Sequence, residues 1–370
     1  LLAARNAHKA LLYAAALLDF DIRWLWPSAQ AEGALCSCPV TAEALTGALH
    51  AMAQQGNTPF GVYVTSPDYL GGVQELPALA AVCRAQGVPL LVDNAHGAYL
   101  RFLPQNCHPI AQGAAMCCDS AHKTLPVVTG GAYLHLAHDA PVQDEAAVRG
   151  ALALFGSTSP SYLILQSLDA CNAVLAGDYP RRLVQCCAAL EGLRRRLNKT
   201  AAARQCPVPL AVAGAQQEPM KLTLDAAALG CTGTALADAL RRAQLECEYA
   251  DPRYVVLMFT PENPPQDYTR LQTVLEQLLA AVPAGLLRPE NRAGEFAALQ
   301  QQAAQRCTIR QAVLGAQVRV PVHKALGRVC AMPTVSCPPA IPVAVSGEEI
   351  TPAAIVLMQR YGIEELSVLR

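Results

Sequence analysis

Asp119-Ser120-Ala121-His122-Lys123-Thr124-Leu125-Pro126 follows directly on the apolar run 114–118. An apolar run that stops at an acid and a serine reads as a buried strand ending at a sheet edge. The run 88–92 stops in the same way, at Asp93 followed by Asn94-Ala95-His96-Gly97. Outward from these two, residues 60–65 and 131–136 read as strands, and 21–26 as a short strand closed by Pro27. Helical periods lie between them: 7–18, 41–55 ahead of Gly56, and 75–86 stopped by Gly87. Strands apolar throughout, alternating with helices, predict an α/β domain with a mainly parallel sheet covered on both faces. In such sheets the chemistry sits beyond the carboxyl ends of the strands, where Asp93 and Ser120 both fall.

Further along, helices are expected at 143–155 and 161–176, joined by Gly156-Ser157-Thr158-Ser159-Pro160. A long helix at 179–197 should carry Arg181, Arg182 and Arg194 to Arg196 on its exposed side. Strands at 221–224 and 254–259 flanking a helix at 234–243 indicate a smaller α+β unit, and a tail alternating helix with Pro-rich loop indicates a third. The expected division is therefore 1–178, 179–265 and 266–370.

Composition narrows the function. With a formal net charge of −1, the chain lacks the basic surface that nucleic-acid binding needs. No apolar run reaches the ~20 residues of a membrane span. Only 15% of the 370 residues are charged, which points to surface covered by a partner subunit. The 15 cysteines are scattered, with no CxxC pair followed by another, so no metal site is expected and a reducing cytoplasm fits. His108, His135 and His138 read as ordinary structural or surface histidines.

Lys123 stands just past a buried strand in an apolar setting. Burial disfavours its charge and suits Schiff-base chemistry; alternatively it snorkels to water. Asp93 either caps the next turn or faces a cofactor's pyridine nitrogen, where a carboxylate keeps the ring protonated as an electron sink.

With these residues in view, the chain resembles the bacterial Orn/Lys/Arg decarboxylases, fold-type I enzymes that use pyridoxal 5′-phosphate. Ser120-x-His122-Lys123 followed by Thr124-Leu125-Pro126 is similar to the family's lysine attachment site. Asp93-x-Ala95-His96-Gly97 is similar to its pyridine-nitrogen block, and Arg5-Asn6-Ala7-His8-Lys9 to its Arg-Asn-x-His-Lys. Ser157-Thr158-Ser159-Pro160-Ser161-Tyr162 and Pro338-Pro339-Ala340-Ile341-Pro342 with Gly347-Glu348 complete five blocks in order. Ala340 and Ser346 stand where the family tends to have Gly and Pro.

The resemblance implies that Lys123 attaches the cofactor, Asp93 pairs with its ring nitrogen and His8 stacks on its ring. It places Ser120 and His122 on the phosphate side, with His122 also near the substrate, and His96 close to the ring. Ser157 or Thr158 would reach the phosphate of a neighbouring subunit, unless the segment only caps the next helix. The implied reaction is decarboxylation of arginine, lysine or ornithine to the amine and carbon dioxide, feeding polyamine synthesis, in a cytoplasmic homodimer or larger homo-oligomer. Another fold-type I reaction (an aminotransferase or carbon–sulfur lyase) and a non-catalytic relative are the alternatives. Glu246, Glu248, Glu348 and Glu349 are candidates to face the substrate's basic head group. The family's phosphate-binding turn is expected upstream of the His8 block, in ~100 further residues of a complete domain, in a short form without the N-terminal regulatory domain.

Overall fold

The computed structural model describes residues 1–27, 34–157, 159–283, 295–333 and 341–370. Thr158 and the Pro338 to Ala340 part of the C-terminal signature lie outside these.

The first sheet is built from β1 (Leu2–Ala4), β2 (Arg23–Leu25), β3 (Val62–Thr65), β4 (Leu90–Asp93), β5 (Met116–Asp119) and β6 (Tyr133–Leu136). Its order is β2-β1-β3-β4-β5-β6. All neighbouring pairs are parallel except β5 and β6. This is the expected α/β architecture. The connections are α1 (Lys9–Leu18), α2 (Ala42–Gln54), α3 (Leu76–Ala85) and the single turn α4 (Ala121–Thr124). Side chains start these helices: Thr41 accepts from the Ala44 N–H to cap α2, and His8 accepts from the Ala10 N–H to cap α1.

Helices α5 (Glu145–Phe155), α6 (Tyr162–Ala176) and α7 (Tyr179–Ala203) follow. A second sheet has the antiparallel order β7-β9-β8, with β7 (Lys221–Asp225), β8 (Tyr249–Ala250) and β9 (Tyr254–Met258). Helices α8 (Gly233–Arg242) and α9 (Pro265–Ala280) belong to this part of the chain, and Leu190, Leu193 and Leu197 of α7 pack with Leu222, Leu257, Leu271 and Leu275. The last part holds α10 (Glu295–Gln302), α11 (Ile309–Leu314), α12 (Pro352–Arg360) and the antiparallel pair β10 (Gln317–Pro321) and β11 (Glu365–Leu369). The core of the first sheet is continuous with it: Val62, Val64 and Val92 share one cluster with Ile341, Leu357 and Val368.

A buried ion pair is among the polar links that join these regions. Arg5, fully buried, donates to both carboxylate oxygens of Glu348 at 2.7 Å and to the Pro342 carbonyl at 3.3 Å. Its guanidinium lies over the rings of Trp24 and Trp26, at 5.0 and 4.4 Å from their centroids. Glu348 is thus consumed by Arg5, and Glu349 pairs with Arg306.

Two expectations need correction. Arg194 is not on the exposed side of α7: it is buried and donates to the carbonyls of Glu218, Pro219 and Lys221. Its i−4 neighbour Leu190 and i+3 neighbour Leu197 are both core residues, so the helical period puts it on the inner face. And residues 2–4, read as no element at all, form a strand inside the sheet, because pairing to β2 and β3 on its two sides compensates for its shortness.

Candidate active site

Adjacent strand ends bring the chemistry together. In the parallel pair β4 and β5, Asp93 lies beside Cys118, and the chain then turns through Asp119 and Ser120 into α4, which carries His122 and Lys123. Asp93 is buried, and its carboxylate is held from two sides. The Tyr63 hydroxyl of β3 donates to it at 2.9 Å and the Ala95 N–H at 3.1 Å. Two donors fix the orientation of the carboxylate. Burial, with the charge of Asp93 adding, raises the Tyr63 phenol well above its ordinary range, so this donor keeps its proton.

Lys123 Nζ lies 3.3 Å from His96 Nε2. His96 is buried and packs edge-on to the Tyr69 ring at 4.9 Å. Burial drives its pKa well below 6.5, and the positive charges of Lys221, Lys123 and His122 push the same way. Its Nδ1 is buried without a hydrogen-bond partner. His8 closes the arrangement from the start of α1. Burial lowers its pKa; of the charges acting on it, Asp93 raises it, while Lys123 and Lys9 lower it. His122 Nδ1 is 2.9 Å from the Gly131 carbonyl and donates to it. The Ser120 side chain makes no capping bond to α4.

Ser157 is set apart from this group. It is exposed in the loop after α5 and exchanges hydrogen bonds with Ser159. Of the acidic head-group candidates, Glu246 pairs with Arg241 on the surface. Glu248 alone among the four is linked to the site: it accepts from the Tyr69 hydroxyl at 2.5 Å, and Tyr69 meets His96 edge-on.

Two participants escaped the sequence reading. Tyr63 sits in a run that reads only as strand. Lys221 is fully buried, donates to the Asp68 and Tyr69 carbonyls at 2.8 and 3.3 Å, and lies 5.2 Å from the Tyr69 ring centroid. A lysine opening an apolar strand was the signal for it.

The state of His96 has a consequence for stability. In the unfolded chain its imidazole titrates near 6.5, and in the fold well below that. The unfolded state therefore binds more protons just under pH 6.5, and stability falls as pH drops through that window. The expected slope is up to ~1.4 kcal/mol per pH unit for one such proton. Urea midpoints measured from pH 7.5 down to pH 5 should fall more steeply for the wild type than for His96→Phe. Equal slopes would show that His96 is not held neutral.

Comparison with known proteins follows this geometry. Residues 1–217 match the family model "Orn/Lys/Arg decarboxylase, major domain". An arginine decarboxylase of Bacillus subtilis is 27% identical over 358 residues, covering 94% of this chain and 70% of its own length. The B. subtilis protein YaaO is 29% identical over 264 residues, 70% of this chain and 52% of that protein. The crystal structure of the Francisella novicida lysine decarboxylase LdcF superposes with a TM-score of 0.75 at 19% identity, over 100% of this chain and 66% of that one. The chain thus spans about half to 70% of the length of these relatives, and its sheet order and small antiparallel sheet belong to the fold-type I architecture.

Proposed function

The chain belongs to the Orn/Lys/Arg decarboxylase family, and from that premise we propose that it decarboxylates a basic amino acid with the help of pyridoxal 5′-phosphate. The observation that carries the proposal is the meeting of Lys123, the doubly held carboxylate of Asp93 and the buried His96 at adjacent strand ends, with His8 under the charge of both Asp93 and Lys123.

The residues fit the cofactor. His96 Nδ1, buried without a partner, is the kind of group a bound ligand satisfies. Lys123 would hold the cofactor covalently, Asp93 its ring nitrogen and His8 its ring face, with Ser120 and His122 toward the phosphate. Ser157 and Thr158 would serve a neighbouring subunit, a role consistent with the exposure of Ser157. When bound, pyridoxal phosphate supplies the electron sink that carbon dioxide loss requires.

The protein's own residues do the rest. Tyr63 and the Ala95 N–H donate to Asp93 and fix the direction in which its carboxylate oxygens point. Neutral His96, beside Lys123 Nζ, can take or return a proton at that amine without adding a second buried cation. Glu248, through Tyr69, is the acid best placed of the four to meet a substrate's distal amine or guanidinium. Exposed Leu152, Leu154, Phe155, Tyr162 and Leu163 on α5 and α6 support a homo-oligomer. We retain the three-domain division at 178 and 265, a cytoplasmic setting and a part in polyamine synthesis as elements of the same proposal. Among the described residues no helix is long and apolar enough to cross a membrane.

The test incubates purified protein and pyridoxal phosphate with arginine, lysine and ornithine in turn, and measures carbon dioxide and amine. One of the three should yield both in equal amounts. Transfer of the amino group to a keto acid without carbon dioxide would replace the decarboxylase with an aminotransferase. An absorption band from bound cofactor with no turnover of any of the three would leave the non-catalytic relative.

A further inference from the structure

Behind the proposed active site, on the other face of β5, lies a second cluster. Successive side chains of a strand point to opposite faces. Cys118 faces Asp93, its Sγ 4.0 Å from Oδ1, whereas Cys117 and Asp119 face away. His135 is the direct cross-strand partner of Cys117 in the antiparallel pair β5 and β6, so it shares that face. His108 joins them from the segment before the 3₁₀ turn at Pro109–Gln112.

The donor atoms converge. His108 Nε2 and His135 Nε2 lie 3.1 and 3.0 Å from Asp119 Oδ2. Cys117 Sγ lies 3.7 Å from His108 Nε2 and 4.0 Å from Asp119 Oδ1. One ligand atom each from His108, Cys117 and Asp119 all fall within 4.8 Å of one another, and the three residues are buried. Around tetrahedral zinc, with bonds of about 2.0–2.3 Å, neighbouring ligand atoms sit ~3.3–3.6 Å apart. The Cys117–His108 pair already stands near that spacing at 3.7 Å, and rotation of the Asp119 carboxylate, with side-chain shifts of up to about 1 Å, would close the remainder into a coordination shell. Asn94 Nδ2 donates to Asp119 Oδ1 at 2.6 Å and would orient the carboxylate from outside it. A cavity of about 580 Å³, lined by Arg101, Asn106, Tyr133, His135 and Asn172 among others, opens onto His108 and Asp119 and gives an ion a way in.

We propose that His108, Cys117 and Asp119 form a binding site for a divalent transition-metal ion of the zinc type. His135 and Asn94 hold the Asp119 carboxylate, and the cavity leaves the fourth position to water. On binding, the Cys117 thiol loses its proton to solvent, and the His108 proton resides on Nδ1 so that the Nε2 lone pair faces the ion. Thiolate and carboxylate together balance the two charges of the ion. No redox change is involved. The proposal departs from the expectation of no metal, which rested on the absence of paired CxxC motifs. Here the spacing is set by a strand pair and a loop, so no short motif announces it.

The experiment titrates reduced, chelator-treated full-length protein with Co²⁺ and records its absorption. The expected result is one equivalent per chain, with tetrahedral visible bands and a thiolate-to-cobalt band, all bleached by Zn²⁺. Cys117→Ser should remove the thiolate band, and His108→Gln should weaken binding at least ~10-fold, with circular dichroism confirming that both fold. X-ray absorption of the zinc-loaded wild type, which needs no variant, should show one sulfur among otherwise nitrogen and oxygen neighbours. Absence of stoichiometric binding, a thiolate band that survives Cys117→Ser, or two or more sulfur neighbours would each overturn the site.

Discussion

A Lys123→Ala protein is expected to lose at least ~10³-fold in decarboxylation rate while keeping its fold. A single positioned proton carrier contributes about 10²–10⁴-fold, and this lysine is also the proposed covalent anchor. The stability cost is small because Lys123 is only partly buried and its amine meets His96 at 3.3 Å. Borohydride should attach the cofactor to the wild type and fail to attach it to the variant. Lys123→Arg separates charge from chemistry: it keeps the cation yet offers no primary amine, so it should be as inactive as alanine. Activity of either variant within tenfold of wild type would remove Lys123 from the reaction.

The largest stability effect should come from Arg5, three residues before His8. Arg5→Met strands the Glu348 carboxylate in the core, with the Val345 N–H as a remaining donor. Breaking a buried pair by removing one partner costs about 3–5 kcal/mol. Replacing both residues, in Arg5→Met with Glu348→Leu, removes the uncompensated charge and should recover most of that loss. Urea denaturation of the two proteins measures the difference. A single-variant cost below ~1 kcal/mol would mean that water reaches the carboxylate.

How much of this was legible depended on the range of the interaction. The two strands ending at Asp93 and Asp119 were readable because each is a local apolar run stopped by an acid, and the helices started at Thr41 and stopped near Gly56 and Gly87 as their punctuation implies. The reversed direction of β6 was not readable, since a strand's pattern carries no sign of the direction in which it pairs. Strand β1 is too short to show a period, and only its two neighbours make it a strand. Arg194 was readable in principle: the leucines at 190, 193 and 197 mark its face, but the run of three arginines drew the eye to solvent. The candidate site divides in the same way. Lys123, Asp93 and His8 come from local blocks, whereas Tyr63 on Asp93, Lys221 under Tyr69 and the two histidines on Asp119 exist only through tertiary contacts.

The Arg5–Glu348 pair also sets a timetable. The two residues are 343 positions apart in the chain. At a synthesis rate of ~5–20 residues per second, the guanidinium waits roughly 17–70 s for its carboxylate. Until then, burying it between Trp24 and Trp26 would desolvate a lone cation, which is costly. The nascent first sheet is therefore expected to stay open on the Trp24 side while the ribosome works and to seal only as the C-terminal segment emerges.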